Sequence, residues 1–386
     1  MKFYIETYGC SRNFADSEHI AGVLSAEHEQ VESEKDADLI VINTCTVKKP
    51  TELKILKRVK ELRHKKLIIA GCMPEVQLEE LKKVAPNAEF WGVKHEEVLD
   101  GPVIRTNKII GIVPISSGCL GNCTYCIVKN ARGPLKSYAP EKIIKSVEQF
   151  IQDGCKEIWI TAQDTAAYGF DINSNLAELL TKVCAVHGDF KVRVGMMNPN
   201  HVLKIQDELI GAFKSEKLFK FLHLPVQSGN DQVLKDMNRQ YSVEEFKQIV
   251  ERFRKEFPGF AISTDVIVGY PTETEAQFQD TLDLIKEIEP DDINISRFGK
   301  RPGTEAEKLK EHEEVVKKNR SSKLTDLAKE VRQKRNNTWL GWTGSVLIDE
   351  ESQGRNYAYK QIIIEGKIGE TKQVEIKKAT PFYLLT

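Results

Sequence analysis

The chain has no long apolar run, no surplus of charge of either sign, and no histidine beside its tightest group of cysteines. Each absence narrows the field. Its apolar stretches, such as Leu39 to Ile42 and Ile109 to Ile115, fall far short of the roughly 20 residues that cross a bilayer. Met1 to Gly9 reads as a strand and not as the basic, apolar and small-residue series of a secretory leader. A cytoplasmic location with no membrane partner is therefore expected. With 56 Lys and Arg against 57 Asp and Glu, the net charge is −1, so affinity for a polyanion has to come from a local patch. From Lys317 onward 14 Lys and Arg face 8 Asp and Glu, which suits a phosphate backbone; a solvated helix face explains that surplus equally well. A composition 40% hydrophobic and 29% charged excludes a disordered or fibrous chain.

What is there falls into three textures, and 386 residues suit two or three domains. In residues 1–104, strand patterns at Lys2 to Thr7, Asp38 to Asn43, Leu67 to Ala70 and Ala88 to Trp91 alternate with helical patterns at Asp16 to Ala26, Glu52 to Leu62 and Glu75 to Val84. This predicts a small parallel α/β sheet. Residues 105–320 carry six strand patterns, at Ile109 to Ile115, Glu157 to Thr161, Lys191 to Met196, Lys220 to Leu224, Ala261 to Val268 and Asp292 to Ser296, with helical patterns between them. A partial (βα)6 barrel with its chemistry at the strand C-termini is expected; a doubly wound sheet would read alike. After a charged helical stretch from Glu305 to Asn336, residues 321–386 close with short β-rich runs at Thr343 to Asp349, Tyr357 to Ile364 and Gln373 to Ala379, the pattern of a small antiparallel barrel.

Eight cysteines in a cytosolic chain point to metal or redox chemistry where they cluster, because the compartment keeps thiols reduced. Cys10, Cys45 and Cys72 each follow a predicted parallel strand, where ligands of such sheets gather. They can share one ion or cluster, or be three unrelated buried thiols. Cys119, Cys123 and Cys126 lie closer together, in a glycine-containing loop after the first strand of the second region. Structural zinc wants four ligands, and an iron–sulfur cluster normally takes four thiolates. Three leave one iron position open. Cys155 and Cys184 read as ordinary buried thiols.

The C-x3-C-x2-C loop, with Tyr125 before its last cysteine, resembles that of the radical S-adenosylmethionine enzymes. The resemblance runs the length of the chain, and the C-terminal module is similar to a TRAM domain. Three spaced cysteines, a radical loop and such a module in that order are typical of methylthiotransferases. Ala131-Arg132-Gly133, Thr161 to Gly169, Met196 to Pro199, His223 to Gly229 and Arg301 to Thr304 resemble the archaeal and eukaryotic branch that acts on N6-threonylcarbamoyladenosine in tRNA. The resemblance implies two [4Fe-4S] clusters, at Cys10, Cys45 and Cys72 and at Cys119, Cys123 and Cys126. It further implies S-adenosylmethionine, the tRNA anticodon stem-loop, and a reducing partner such as a flavodoxin or ferredoxin. In the family the open iron binds the methionine end of the cofactor, and one electron cleaves it to the radical.

The same resemblance places the cofactor beside Tyr125 and among the strand-end loops: Gln163 and Asp164 near its amine, Asn198 near the ribose, then Gln227, Ser228, Val268, Gly269 and Phe298, the last three toward adenine. Turn chemistry or core packing explains several of these as readily. Arg132 suits a substrate carboxylate or phosphate, with a surface ion pair as the bland alternative. Arg355, Tyr357 and Lys360 mix aromatic and positive groups in a pattern that can grip RNA, or that can line a barrel core. His223 reads as a packed strand residue. Two rival activities stay open: the same chemistry on another tRNA adenosine or a ribosomal protein, and a non-catalytic iron–sulfur RNA-binding protein.

Overall fold

The computed structural model describes residues 1–93, 99 and 101–386. It opens with β1 (Lys2–Thr7), α1 (Ser11–Leu24), β2 (Glu29–Gln30), β3 (Leu39–Thr44), α2 (Lys49–Leu62), β4 (Lys66–Gly71), α3 (Cys72–Val76), α4 (Leu78–Val84) and β5 (Glu89–Trp91). The strands form one parallel sheet in the order β2-β1-β3-β4-β5. All of β3 is buried, as a central parallel strand must be when helices cover both faces. Its alternate residues serve two layers: Ile40 and Ile42 meet Ile55 and Val59 of α2, while Leu39 and Val41 meet Ala21 and Leu24 of α1. The helix expected from Glu75 to Val84 is two helices, and the first begins earlier, at Cys72, after Gly71 turns the chain at φ +89.

The central region runs β6 (Ile110–Pro114), β7 (Ser116–Ser117), α5 (Val128–Arg132), β8 (Lys136–Ser137), α6 (Pro140–Gln152), β9 (Glu157–Thr161), α7 (Leu176–Ala185), β10 (Lys191–Val194), α8 (Pro199–Val202), α9 (Gln206–Phe213), β11 (Phe221–His223), α10 (Asp231–Asp236), α11 (Val243–Glu256), β12 (Ala261–Val268), α12 (Glu275–Ile288) and β13 (Asp292–Arg297). Its six main strands pair in parallel as β6-β9-β10 and β11-β12-β13. Val192 links the two sets: its N–H donates to Lys217 O at 2.7 Å and its carbonyl accepts from Phe219 N at 3.0 Å. The helices pack outside. Phe246, Ile249, Val250 and Phe253 of α11 are buried because helical periodicity puts them on one face. Capping boxes at Ser242 with Glu245 and Thr274 with Gln277 start α11 and α12, each stabilising its helix by about 1 kcal/mol.

The C-terminal region comprises α13 (Glu314–Asn337), β14 (Thr343–Glu350), β15 (Gln353–Arg355), β16 (Gln361–Ile363), β17 (Thr371–Glu375), β18 (Lys378–Ala379) and β19 (Leu384–Leu385). The sheet order is β17-β14-β15-β16-β19-β18. Its pairs are antiparallel except β16 with β19, which run parallel. The charged stretch from Glu305 holds only a short 3-10 turn before α13 begins. The expected division after residue 320 falls inside α13, whose Leu324, Ala328 and Val331 pack into the central core. Val346, Ile348 and Ile362 cluster with Ala261 and Phe221, at the beginnings of β12 and β11. The C-terminal sheet thus packs on the beginnings of these strands, whereas Cys119, Cys123 and Cys126 follow the C-terminal end of the parallel strand β6. Among the described residues no helix is long and apolar enough to cross a membrane.

Candidate active site

The neighbouring strands β1, β3 and β4 deliver Cys10, Cys45 and Cys72 to one edge of the N-terminal sheet. Two tight glycine turns make this possible. A Cβ on Gly9, at φ +118, would lie 2.9 Å from Cys45 Cβ, and one on Gly71 would lie 2.5 Å from Thr44 O. Side chains then brace the loops. Asn13 Nδ2 donates to Thr44 O at 2.8 Å, Thr44 Oγ1 donates to Ala70 O at 2.6 Å, and Met73 N donates to Thr44 Oγ1 at 3.0 Å. Cys45 and Cys72 are buried and Cys10 is exposed. Burial pushes the Cys45 thiol up to about 11, and Cys72 and Cys10 add to the rise through their proximity. Burial likewise raises Cys72, against the opposing charge of Arg132.

The second set lies on the loop after β6 and β7. Gly118, at φ +76, has no room for a Cβ, which would stand 1.9 Å from Pro134 O, so the loop folds flat against the segment after α5. Cys119 N donates to Gly133 O at 3.1 Å and Gly121 N donates to Cys119 Sγ at 3.3 Å. A Cβ built on Gly121 would sit 3.5 Å from Cys119 Sγ and 3.8 Å from Cys123 Sγ, so both sulfurs flank one small space. Burial raises Cys119 to about 11, with Asp164 contributing, and Cys126 to about 12, with Cys123 contributing. Tyr125 packs with Val233, Met237, Tyr270 and Phe298, anchoring the loop to the ends of β12 and β13.

Among the described residues no three His, Cys, Asp or Glu side chains close on a point as the ligands of one metal ion would. Cys119 and Cys123 instead flank one small space, which suits a cluster whose thiolates bind separate irons. Among the described residues Arg132 Nη1 at the end of α5, Gln163 Oε1 after β9 and Gln227 Oε1 after β11 are buried without partners. A donor set of three thiols beside such atoms fits a cluster with one iron position open to a polar cofactor.

The other expected residues divide. Gln163 and Gln227 keep free acceptor atoms, and Gln227 is held at φ +68. Asp164 is consumed internally: it accepts from Ala166 N and Asn198 N, and its other oxygen meets His201 Nδ1 at 2.6 Å. Asn198 Oδ1 accepts from Arg239 Nη2 at 2.7 Å. Ser228 is buried and its hydroxyl accepts from Asn230 N. Val268 is fully buried and belongs to the main core. Gly269 N donates to Glu273 Oε2 at 2.7 Å, and Phe298 stacks edge-on against Tyr270.

Arg132 is neither on the surface nor open to a substrate carboxylate. It is 3% exposed, pairs with Asp16 at 2.7 Å, and lies against Cys72. In the C-terminal module, Arg355 pairs with Asp349 at 3.1 Å and Lys360 with Asp291 at 3.4 Å, both largely buried, while Tyr357 O accepts from Lys220 N and its ring meets Trp339. Lys360 and Tyr357, whose hydroxyl donates to Pro258 O at 3.4 Å, fasten the module to the core, while the Arg355 pair lies within the module. A cavity of about 470 Å³ lies there, lined by Arg193, His223, Asp291, Asn294, Tyr359 and Lys360, at the end of the strands away from the cysteines.

Arg239, which the sequence reading missed, donates from Nη1 to Cys123 Sγ at 3.2 Å. It follows a six-residue helix with no periodic signal of its own, so nothing in the pattern singled it out. Arg301 was noticed only as part of a motif. It reaches the N-terminal domain, where it pairs with the buried Glu52 and donates to Thr46 Oγ1 at 2.9 Å.

The Radical SAM superfamily model matches residues 113–285, and the model described as Uncharacterized protein family UPF0004 matches residues 2–92. A relative from Pyrococcus horikoshii, named probable threonylcarbamoyladenosine tRNA methylthiotransferase, is 44% identical over 100% of this chain and 99% of its own. One from Methanothermobacter thermautotrophicus with the same name is 40% identical over 100% and 99%. The threonylcarbamoyladenosine tRNA methylthiotransferase of Homo sapiens is 34% identical over 99% of this chain and 73% of its own. Among solved structures, the radical S-adenosylmethionine methyltransferase TsrM from Kitasatospora setae superposes with a TM-score of 0.58 at 10% identity, covering 79% of this chain and 77% of that one. That likeness speaks for the fold.

Proposed function

From the premise that this chain belongs to the threonylcarbamoyladenosine tRNA methylthiotransferase family, we propose that Cys10, Cys45 and Cys72 hold one [4Fe-4S] cluster and Cys119, Cys123 and Cys126 a second. With S-adenosylmethionine they convert the N6-threonylcarbamoyladenosine beside the tRNA anticodon to its 2-methylthio derivative. The observation that carries this is the count of thiols: two separate sets of three, one with the buried Arg132 beside it and the other with the half-buried Arg239.

When bound, these groups supply the radical and the sulfur that an adenine C2–H requires, since that carbon offers no acidic proton to a base. The chain's own residues do the rest. Three thiols per cluster would leave one iron of each without a cysteine ligand. Gln163 and Gln227, whose amide oxygens are buried and free, would accept hydrogen bonds from the amine and hydroxyl groups of a bound cofactor. Arg239 spans Cys123 and Asn198, so the loop and the β10 end move as one piece. Tyr125 and Phe298 close the apolar side and limit water near the reacting carbon. The six main strands correspond to the partial (βα)6 barrel of this superfamily, and the C-terminal sheet to a TRAM-like RNA-binding module. A reducing partner such as a flavodoxin or ferredoxin supplies electrons, and eight free thiols suit a reducing cytosol.

The test is reaction of the anaerobically reconstituted protein with tRNA carrying threonylcarbamoyladenosine, followed by nucleoside mass spectrometry. A methylthio mass increment on that nucleoside, dependent on S-adenosylmethionine and dithionite, is the expected result. Cofactor cleavage without the increment would refute the substrate assignment, and neither would refute both.

A further inference from the structure

A group of buried charges next to Cys10, Cys45 and Cys72 is out of balance. Arg12 is 0% exposed, Asp16 8% and Arg132 3%. Arg12 Nη1 meets one oxygen of Asp16, and Arg132 Nη2 meets the other at 2.7 Å. Among the described residues no second carboxylate pairs with either arginine. Two guanidinium groups therefore share one carboxylate, and one positive charge stays uncompensated. Three of their nitrogens, Arg12 Nε, Arg12 Nη2 and Arg132 Nη1, are buried without a partner. A charge left alone in such a place costs several kcal/mol, so an anion belongs beside it.

The direction of the excess is specific. Arg132 Nη2 also donates to Asn13 Oδ1 at 3.2 Å, the atom that accepts from Cys10 Sγ at 3.7 Å. Arg132 touches Cys72 as well, and its charge is felt at Cys45. Cys72 and Ala131 pack together, which brings α5 against α3. Arg132 lies six residues beyond Cys126 in sequence, yet its charge faces the thiols of the other domain.

We propose that Arg132, which shares Asp16 with Arg12, is the residue that neutralises and hydrogen-bonds the iron–sulfur cluster held by Cys10, Cys45 and Cys72, and so sets that cluster's reduction potential. This rests on the cluster assignment made above. Three thiolates on such a cluster leave it anionic, and hydrogen bonds and charge at the sulfurs are established levers on its potential. Arg132 also joins the two cysteine loops, so one ion pair fixes both the charge and the placement of the cluster against the radical loop.

The experiment uses the full chain with Cys119, Cys123 and Cys126 replaced by alanine, so that only one trio remains. Iron and sulfide are assayed, and the midpoint potential is read by titration followed by electron paramagnetic resonance, with and without Arg132→Gln or Asp16→Asn. Removing the cation lowers the potential and removing the anion raises it. Each shift is expected to change the reduced-to-oxidised ratio at fixed potential at least tenfold, about 59 mV for a one-electron couple. Opposite signs are the readout that general loosening does not give. Loaded variants with unshifted potentials, or shifts of the same sign, overturn the proposal. If Arg132→Gln does not load, Asp16→Asn and Arg132→Lys decide it: a raised potential in the first and near-normal loading in the second support it, and failure of either outcome overturns it. Absence of iron from the parent with one intact trio overturns the cluster assignment itself, and the proposal with it.

Discussion

Arg301→Met is the perturbation whose consequence the structure defines most fully. Arg301 is 3% exposed and its partner Glu52 0% by side chain, so the pair lies between the loop after β13 and the start of α2. The same guanidinium donates to Thr46 Oγ1, the residue after Cys45, and that hydroxyl donates to Gln77 Oε1 at 2.7 Å. Methionine keeps the stem volume but leaves Glu52 with Lys49 alone, whose side chain is 48% exposed. Breaking a buried pair on one side costs about 3–5 kcal/mol. The remaining lysine argues for the lower end, about 3 kcal/mol, or a melting temperature lower by roughly 4 °C for a 386-residue chain that unfolds as one unit. Burial opposes ionisation of Glu52, but Lys49 and Arg301 hold its carboxyl below the usual range. Its stabilising contribution is thus complete above the unfolded carboxyl's titration and fades as pH falls through the folded one. The gap between wild type and variant should be full at pH 7 and narrow in acid. Thermal melts at both pH values measure it, and Glu52→Leu with Arg301→Met should recover much of the loss because no charge is then left buried. A single variant that melts like wild type at pH 7, or a double as damaged as the single, refutes the reasoning.

Four further outcomes follow from the site and its supports. Cys123→Ala should abolish formation of 5′-deoxyadenosine on reduction, whereas Cys155→Ala, at a buried thiol outside both trios, should leave it intact; chromatography of the nucleoside distinguishes them. Arg239→Met removes the donor to Cys123 Sγ and should lower cofactor cleavage at least tenfold while the iron bound at the N-terminal trio is unchanged. Burial, with Asp349 adding to it, raises Glu157 to about 7, so the folded state holds a proton there that the unfolded chain releases near pH 4.5. Stability tied to that proton is lost as pH rises toward and through 7, and Glu157→Gln should raise the melting temperature more at pH 8 than at pH 5. Arg355→Gln and Lys360→Gln should loosen the C-terminal module while leaving the salt slope of tRNA binding unchanged, because both charges are already paired within the protein.

The sequence carried the parts of this architecture that depend on periodicity. β1, β9 and β12 begin and end where alternation and apolar runs predict, because each is a parallel strand between clear turn signals. The placement of Cys10, Cys45 and Cys72 after adjacent strands was legible for the same reason. Pairings between distant residues were not. Arg132 with Asp16, Arg301 with Glu52 and Lys360 with Asp291 join segments from 69 to 249 positions apart, and a charge in a sequence does not say which opposite charge it will meet. For that reason a basic C-terminal segment read as an RNA surface, while several of its cations hold Glu273, Glu275, Asp291 and Asp292 of the core. Gln163 and Gln227 were identified through motifs, but only the structure distinguishes their free acceptors from the fully engaged carboxylate of Asp164.

The most direct measurement is iron and acid-labile sulfide per chain in protein prepared without oxygen, for wild type, for the variant lacking Cys10, Cys45 and Cys72, and for the variant lacking Cys119, Cys123 and Cys126. Two independent clusters predict that each variant keeps half the iron of the wild type, and that only the first still cleaves S-adenosylmethionine. Full iron after loss of either trio, or none after loss of one, would contradict the account.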